Sequence, residues 1–390
     1  MAGFFLAPRI AWGPGAIEQL SGLGIARAFL LVDPAVAAHE GPRRVAEELA
    51  KAGSVVATVA DLAAPDRVPT VRALADRLRA SGADGLVAVG GGRTLDAAKA
   101  ARLLASEPTL DPEALPPDLD EGGGLPTRLV AIPTTSGSGS EASWSADLEA
   151  ADGRPIELAH RAMVPDWALV DPAFAEPLPP ERLLDGALET AAQAIEAYLS
   201  AWANPFSDAL AVHAATTVVR RTGHALRWNT DDPEARAALH YAATAAGLAA
   251  SNAQRGLAHA LARALVAPTG LPYGRLVGIV LPFVLEYDQP GARERLEALG
   301  LAVALPDDAG RLASPPWPQR LRRLYDLWRV PTDLKAAGVP SEPVERHRAA
   351  IVAATLRSPA VLANPRVPSE PEVEALLHAV LGPAGARLAP

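Results

Sequence analysis

Three consecutive glycines, Gly90, Gly91 and Gly92, end the apolar run "GLVAVG" and open the segment "GGGRTLDAAKA". With no Cβ in the way and a helix expected to begin near Thr94, their N–H groups and the positive end of the helix dipole suit an anion, typically a pyrophosphate. A tight turn without ligand would use the same residues, and the spacing is not the usual G-x-G-x-x-G of dinucleotide-binding turns. A second stretch, "IPTTSGSGSEAS" over 132–143, also follows a strand pattern and gathers hydroxyls and glycines into one loop. Pro133 and the strand before it fix the loop's entry, unlike a flexible Ser/Gly linker. Two such loops belong at the carboxyl edge of one sheet, where open α/β folds bind ligands. Earlier, "LLVD" ends at Asp33, whose carboxylate suits both hydroxyls of an adenosine ribose and repels a 2′-phosphate, favouring NAD over NADP. Capping a helix or forming a turn is the other use of an acidic residue at a strand end.

The elements that would hold these loops are legible in the alternation around them. Apolar runs "AFLLVD" (28–33), "GLVAVG" (85–90), "RLVAIP" (128–133) and "WALVD" (167–171) alternate with helical patterns such as "VRALADRLRASG" (71–82). That order predicts a parallel, Rossmann-like sheet with helices on both faces. From "LPPERLLDGALETAAQAIEAYLSAW" onward, apolar spacings of three and four dominate and predict helices. The chain therefore reads as an α/β domain over 1–177 and an all-α domain over 178–390, and 390 residues is long enough for two cores. The Pro- and Gly-rich stretch 107–127 reads as a surface loop, and neither internal repeats nor heptads are present.

Composition excludes several function classes. A net charge of -9 without a basic stripe argues against nucleic acid and anionic membrane as partners. With no Cys in the chain, disulfides and thiolate metal sites are out of reach. The opening "MAGFFLAPRI" lacks a basic n-region and a long apolar core, so a cytoplasmic location is expected.

Taken together, "WGPGAIEQL" (12–20), "VGGGRTLDAAKA", "IPTTSGSGSEAS", "VPDWALVDP" (164–172), "AIEAYLSAWANP" (194–205) and "GLAHALARALVAPTGLPYGRLVGIVLPFVLEYD" (256–288) make a chain that resembles the iron-containing (group III) alcohol dehydrogenases, relatives of dehydroquinate synthase and glycerol dehydrogenase. The resemblance covers most of the sequence. It implies an N-terminal NAD(P)-binding domain, a helical C-terminal domain and a cleft between them for nicotinamide, substrate and, usually, a divalent metal. By resemblance, Gly90, Gly91 and Gly92 hold the pyrophosphate, Asp96 and Lys99 belong to the same motif, and Thr134, Thr135 and Ser138 lie beside the nicotinamide half. Arg93 replaces the Ser that usually follows the glycines and brings a cation toward the phosphates.

The family's metal ligands are an Asp and a His four residues apart on one helix, a His on a second helix and another His fourteen residues later. The matching positions here are Glu189, Gln193, His259 and Tyr273. One imidazole remains, a poor set for Fe²⁺ or Zn²⁺. Arg263, one turn beyond His259 where the family commonly has another His, opposes a dication by Coulomb repulsion. The expectation is therefore NAD, or NADP, with no bound metal. Tyr273 then serves as proton donor and acceptor and His259 as relay, provided cationic neighbours favour the phenolate. Arg263 suits a substrate carboxylate, so the expected substrate is a hydroxy acid or alcohol, a small molecule or a peptide. Oxidation of a β-hydroxy acid gives a β-keto acid that loses CO₂ without metal help. The resemblance permits such an oxidative decarboxylation, for example of a peptide C-terminal Thr in natural-product biosynthesis. Two other readings are a conventional metal-dependent alcohol dehydrogenase and a nucleotide-binding, non-catalytic partner of another enzyme. Assembly as a homodimer or with a pathway enzyme is compatible with each.

Overall fold

The parallel sheet follows from short β-branched and apolar runs that are buried on both faces, as strands covered by helices must be. A computed structural model of the chain describes residues 8–115, 124–226, 232–303 and 317–382. They divide into two compact units, one ending at Leu178 and the other beginning at Pro179. In the first unit, strands β1 (Arg9–Trp12), β2 (Arg27–Val32), β3 (Val55–Val59), β4 (Gly85–Gly90), β5 (Arg128–Pro133), β6 (Ser145–Glu149), β7 (Pro155–Ala159) and β8 (Trp167–Val170) combine with helices α1 (Glu40–Lys51), α2 (Val68–Ser81) and α3 (Gly92–Ser106). Six strands form a parallel sheet in the order β1-β8-β5-β4-β2-β3, and β6 and β7 form a separate antiparallel hairpin.

Period-two alternation sorts the sheet's side chains onto two cores. Phe29 and Leu31 of β2 pack with Leu86 and Ala88 of β4 and with Val71, Leu74 and Leu95 of α2 and α3. Leu30 and Val32 pack on the opposite face with Val87, Val89 and with Val45 and Leu49 of α1. β3 lies on one side of β2 and β4 on the other, so the connections leaving β2 and β4 depart in opposite directions. That divergence opens a crevice at the carboxyl ends of β2 and β4, the position where doubly wound sheets receive ligands. The expected helix start near Thr94 lies two residues earlier, at Gly92. The hairpin of β6 and β7 was not anticipated, because "SADLE" and "PIELA" are five-residue segments with little apolar signal. Of the expected surface loop 107–127, residues 116–123 lie outside the described residues.

The second unit is helical, with α4 (Pro180–Leu199), α5 (Pro205–Ala225), α6 (Pro233–Ala253), α7 (Leu257–Thr269) and α8 (Tyr273–Ala302) followed by further helices up to Leu381. Local sequence sets the boundaries. Asn204 caps α5 by accepting the N–H groups of Phe206 and Ser207, with Pro205 in the first turn. Within α8, Pro290 cannot donate to the helix ladder, and Ala292 departs from helical geometry two residues on. α8 meets α4 backbone to backbone: a Cβ on Gly274 would stand 2.2 Å from the carbonyl oxygen of Asp185. Among the described residues no helix is long and apolar enough to cross a membrane.

Asp288 of α8 is buried and accepts the side-chain amide of Asn364 at 2.6 Å. Burial pushes its carboxyl well above the ordinary 3.8, with the Asn364 hydrogen bond opposing the shift and the charge of Glu196 adding to it. A raised folded-state value means that this residue's contribution to stability is fullest below its ordinary pKa and declines as pH climbs toward the raised one. Asp288→Asn keeps the acceptor and removes the buried charge. Urea midpoints followed from mildly acidic to mildly alkaline pH should therefore fall more steeply for the wild type than for the variant; parallel curves would contradict the assignment.

Candidate active site

The glycine loop and the hydroxyl loop meet at the carboxyl ends of adjacent strands, since Gly90 of β4 is in register with Pro133 of β5. Their glycines are needed because the two loops are in contact. A Cβ on Gly90 would lie 2.6 Å from Thr94 Cβ and 2.9 Å from Asp33 Cβ. One on Gly91 would come within 3.1 Å of the Thr135 methyl, and one on Gly92 within 2.8 Å of Ser138 Cβ. The first surface pressed against these glycines is thus the protein's own, which brings α3's amino end close to Asp33, Thr135 and Ser138. The Asp33 carboxylate spans the crevice, accepting the Ala35 N–H at 2.9 Å and the Thr94 hydroxyl at 3.0 Å. Thr134 is buried, and its N–H donates to Gly90 O at 3.0 Å.

Lys99 and Asp96 lie on α3, which begins at the glycines. Both are buried, paired at 2.9 Å, and directed at the second loop. The Lys99 ammonium donates to Ser140 O (3.0 Å), Ser143 Oγ (2.8 Å) and Ser145 O. Asp96 accepts the Ser140 hydroxyl and the Asp147 N–H (3.0 Å). They sit on the inward face of α3, where the side chains bind the loop that neighbours the glycines. The Arg93 guanidinium forks onto both carboxylate oxygens of buried Asp66 at 2.8 and 2.5 Å, so its charge is paired there.

In the helical unit, Glu189, Gln193 and Glu196 recur at spacings of four and three along α4 and so share one face. That face reaches α7 through Glu196. Its Oε1 accepts the Ala258 N–H at 2.6 Å, and its Oε2 hydrogen-bonds His259 Nδ1. His259 is 2% exposed, and its Nε2 has no hydrogen-bond partner among the described residues. The ring meets Tyr273, the first residue of α8, edge to face with centroids 5.9 Å apart. Arg263 lies one turn beyond His259 on α7 and is half-buried. The turn into α7 carries Gln254 at φ 70, ψ 159, a conformation almost confined to glycine and of the strained kind that clusters at functional sites.

The comparisons with known proteins match both units. The model described as "Iron-containing alcohol dehydrogenase" matches residues 7–172, and that described as "Fe-containing alcohol dehydrogenase family, C-terminal" matches 184–381. Probable alcohol dehydrogenase EutG of Escherichia coli (strain K12) is 32% identical over 307 residues, 77% of this chain and 76% of the relative. An NADPH-dependent butanol dehydrogenase of Clostridium saccharobutylicum is 28% identical over 389 residues, 97% of this chain and 98% of the relative. The solved iron containing alcohol dehydrogenase of Thermococcus thioreducens superposes with a TM-score of 0.86 at 29% identity, covering 97% of this chain and 99% of that one. The chain belongs to the iron-containing alcohol dehydrogenase family. It is an oxidoreductase.

The metal that names the family does not suit the residues this member presents. Among the described residues no group of three or more His, Asp or Glu is placed to hold an ion. The four positions matching the family's ligands offer one imidazole, an amide, a phenol and a carboxylate, a weak set for iron. The alcohol dehydrogenase motif also contains a residue that the sequence reading passed over. Glu196 stands in the quoted "AIEAY", one turn beyond Gln193; the signal was its helical phase, which puts it on the ligand face. Asn364 had no signal, because its contact with Leu257 N–H, at 3.0 Å, spans 107 residues.

Removing the buried cation distinguishes a loop-fixing role for Lys99 from cofactor contact. Lys99→Met leaves Asp96 and its carbonyl partners buried without their counter-charge, and unfolding free energy should drop by about 3–5 kcal/mol in urea titrations. Unchanged stability with lost nucleotide affinity would instead put Lys99 on the cofactor.

Proposed function

We propose that this enzyme is an NAD(P)-linked alcohol or hydroxy-acid dehydrogenase that handles the alcohol proton with its own side chains instead of a metal. The observation that carries the proposal is the buried His259, whose Nε2 has no hydrogen-bond partner among the described residues and whose ring packs edge to face with Tyr273. The first unit supports nucleotide binding through the α3 amino end and the crevice between β2 and β4. Gly91 and Gly92 would hold the pyrophosphate, with Thr134, Thr135 and Ser138 beside it. Asp33 at the crevice favours NAD, whereas the Clostridium relative is named for NADPH. A bound nicotinamide supplies the hydride acceptor or donor. Tyr273 exchanges the proton with the alcohol oxygen, and His259 passes it on. Tyr273 is the first residue of α8, at the positive end of that helix's dipole.

Arg263, on the same helical face as His259, supports an acidic substrate because its planar fork binds two oxygens at once. For a β-hydroxy acid the product is a β-keto acid, and loss of CO₂ would follow without a metal. This second reading rests on Arg263 alone.

Turnover should be measured by NADH absorbance across primary alcohols and 3-hydroxy acids, with elemental analysis and chelation alongside. Tyr273→Phe should lower kcat by about a hundredfold or more, with nucleotide affinity nearly unchanged. Full activity in that variant, or a stoichiometric transition metal whose removal abolishes turnover, would overturn the proposal.

A further inference from the structure

We infer that Glu196 is a positioning residue that holds His259 in one tautomer, with the proton on Nδ1 and a bare acceptor at Nε2. The inference rests on the proposed role of His259 but is drawn from a different set of contacts. A carboxylate can only accept hydrogen bonds. Glu196 divides its two oxygens between a donor of fixed polarity, the Ala258 N–H at 2.6 Å, and the Nδ1 atom of His259. In the neutral ring the proton must therefore sit on Nδ1. Nε2 is left as a buried lone pair, without a partner among the described residues. A buried acceptor without a donor is costly, so the site is built to receive a proton from a hydroxyl, that of Tyr273 or of the substrate. A proton taken up at Nε2 from such a hydroxyl would leave an imidazolium whose charge the Glu196 carboxylate balances from the Nδ1 side. The arrangement thus points toward alcohol oxidation and reverses for reduction.

The local sequence is arranged around this bond. Gly256 has extended backbone angles that any residue could adopt, φ -126 and ψ -159, so its conformation does not require glycine. Space does: a Cβ there would stand 2.8 Å from Glu196 Oε1 and 2.8 Å from Asn364 Oδ1. Glycine lets both side chains reach the amino end of α7, where Glu196 takes the Ala258 N–H and Asn364 takes the Leu257 N–H at 3.0 Å. Asn364 is itself oriented, because its amide donates to Asp288 Oδ1 (2.6 Å) and to Arg366 O (2.9 Å). With its amide nitrogen committed there, its oxygen is turned to Leu257. The first turn of α7 is thereby held, and with it the carboxylate that sets the imidazole.

Glu196→Gln tests the inference with a defined change of polarity. Ala258 N–H still needs an oxygen, so the new amide nitrogen must face His259 Nδ1 and donate to it. The ring proton then moves to Nε2. In protein labelled with ¹⁵N-imidazole histidine at alkaline pH, with His259→Asn used for assignment, the wild type should show a pyrrole-type Nδ1 and a pyridine-type Nε2. Glu196→Gln should exchange them. Its kcat on the alcohol oxidised fastest in the panel should fall by about tenfold to a hundredfold at unchanged KM for nucleotide and alcohol. Gly256→Ala, which displaces Glu196 without altering any ionisable group, should produce mixed tautomers and a similar loss of kcat. A protonated Nε2 in the wild type, or identical ring patterns in wild type and Glu196→Gln, would overturn the inference. If the nitrogens exchange as described while Tyr273→Phe retains full activity, the tautomer assignment stands and the proposed catalytic role of Tyr273 falls.

Discussion

A histidine 2% exposed can leave one ring nitrogen bare only if the other is firmly held, and in this protein the hold is the carboxylate of Glu196. A small connected set of buried polar groups supports that contact. α4 supplies the carboxylate, Gly256 the space, and Asn364 and Asp288 a second hydrogen-bonded arm on the same helix end. Buried polar groups are costly singly and rigid when connected. The connected arrangement gives the imidazole one orientation.

The α/β unit solves a different problem with the same economy of backbone. Its ligand crevice arises from topology, where the connections after β2 and β4 diverge, but topology alone leaves the loop from Thr134 onward undefined. A fully buried lysine defines it. Lys99 and Asp96 between them engage Ser140, Ser143, Ser145 and Asp147, so the loop beside the glycines is tied to the same helix that begins at them. Arg93, whose charge is neutralised by Asp66, adds little net charge there.

Within a family named for iron, this chain keeps the fold and the helices that carry the ligands while presenting a different chemistry on them. One imidazole, one amide, one phenol and a carboxylate, with a guanidinium one turn from the imidazole, stand where the family has three imidazoles and a carboxylate. Iron would meet few good donors, whereas a proton meets an acceptor with a fixed lone pair and a hydroxyl-bearing ring at its edge. The same positions on α4, α7 and α8 serve either purpose, since both need side chains that converge from three helices.

Sequence periodicity was enough for the parallel sheet and the change to helices, because period two and period three-to-four are properties of neighbouring residues. The glycine and hydroxyl motifs, and the loss of imidazoles at Gln193 and Tyr273, were equally plain, being matters of residue type at known spacing. The hairpin of β6 and β7 was not legible, since five-residue segments with mixed polarity carry too little pattern. Nor were the tasks of Lys99, Arg93 and Glu196: each is set by a partner 27 to 63 residues away, and which charge meets which carboxylate is decided by packing. Residue type shows that a group can donate or accept a proton; only the folded chain decides what stands on its other side.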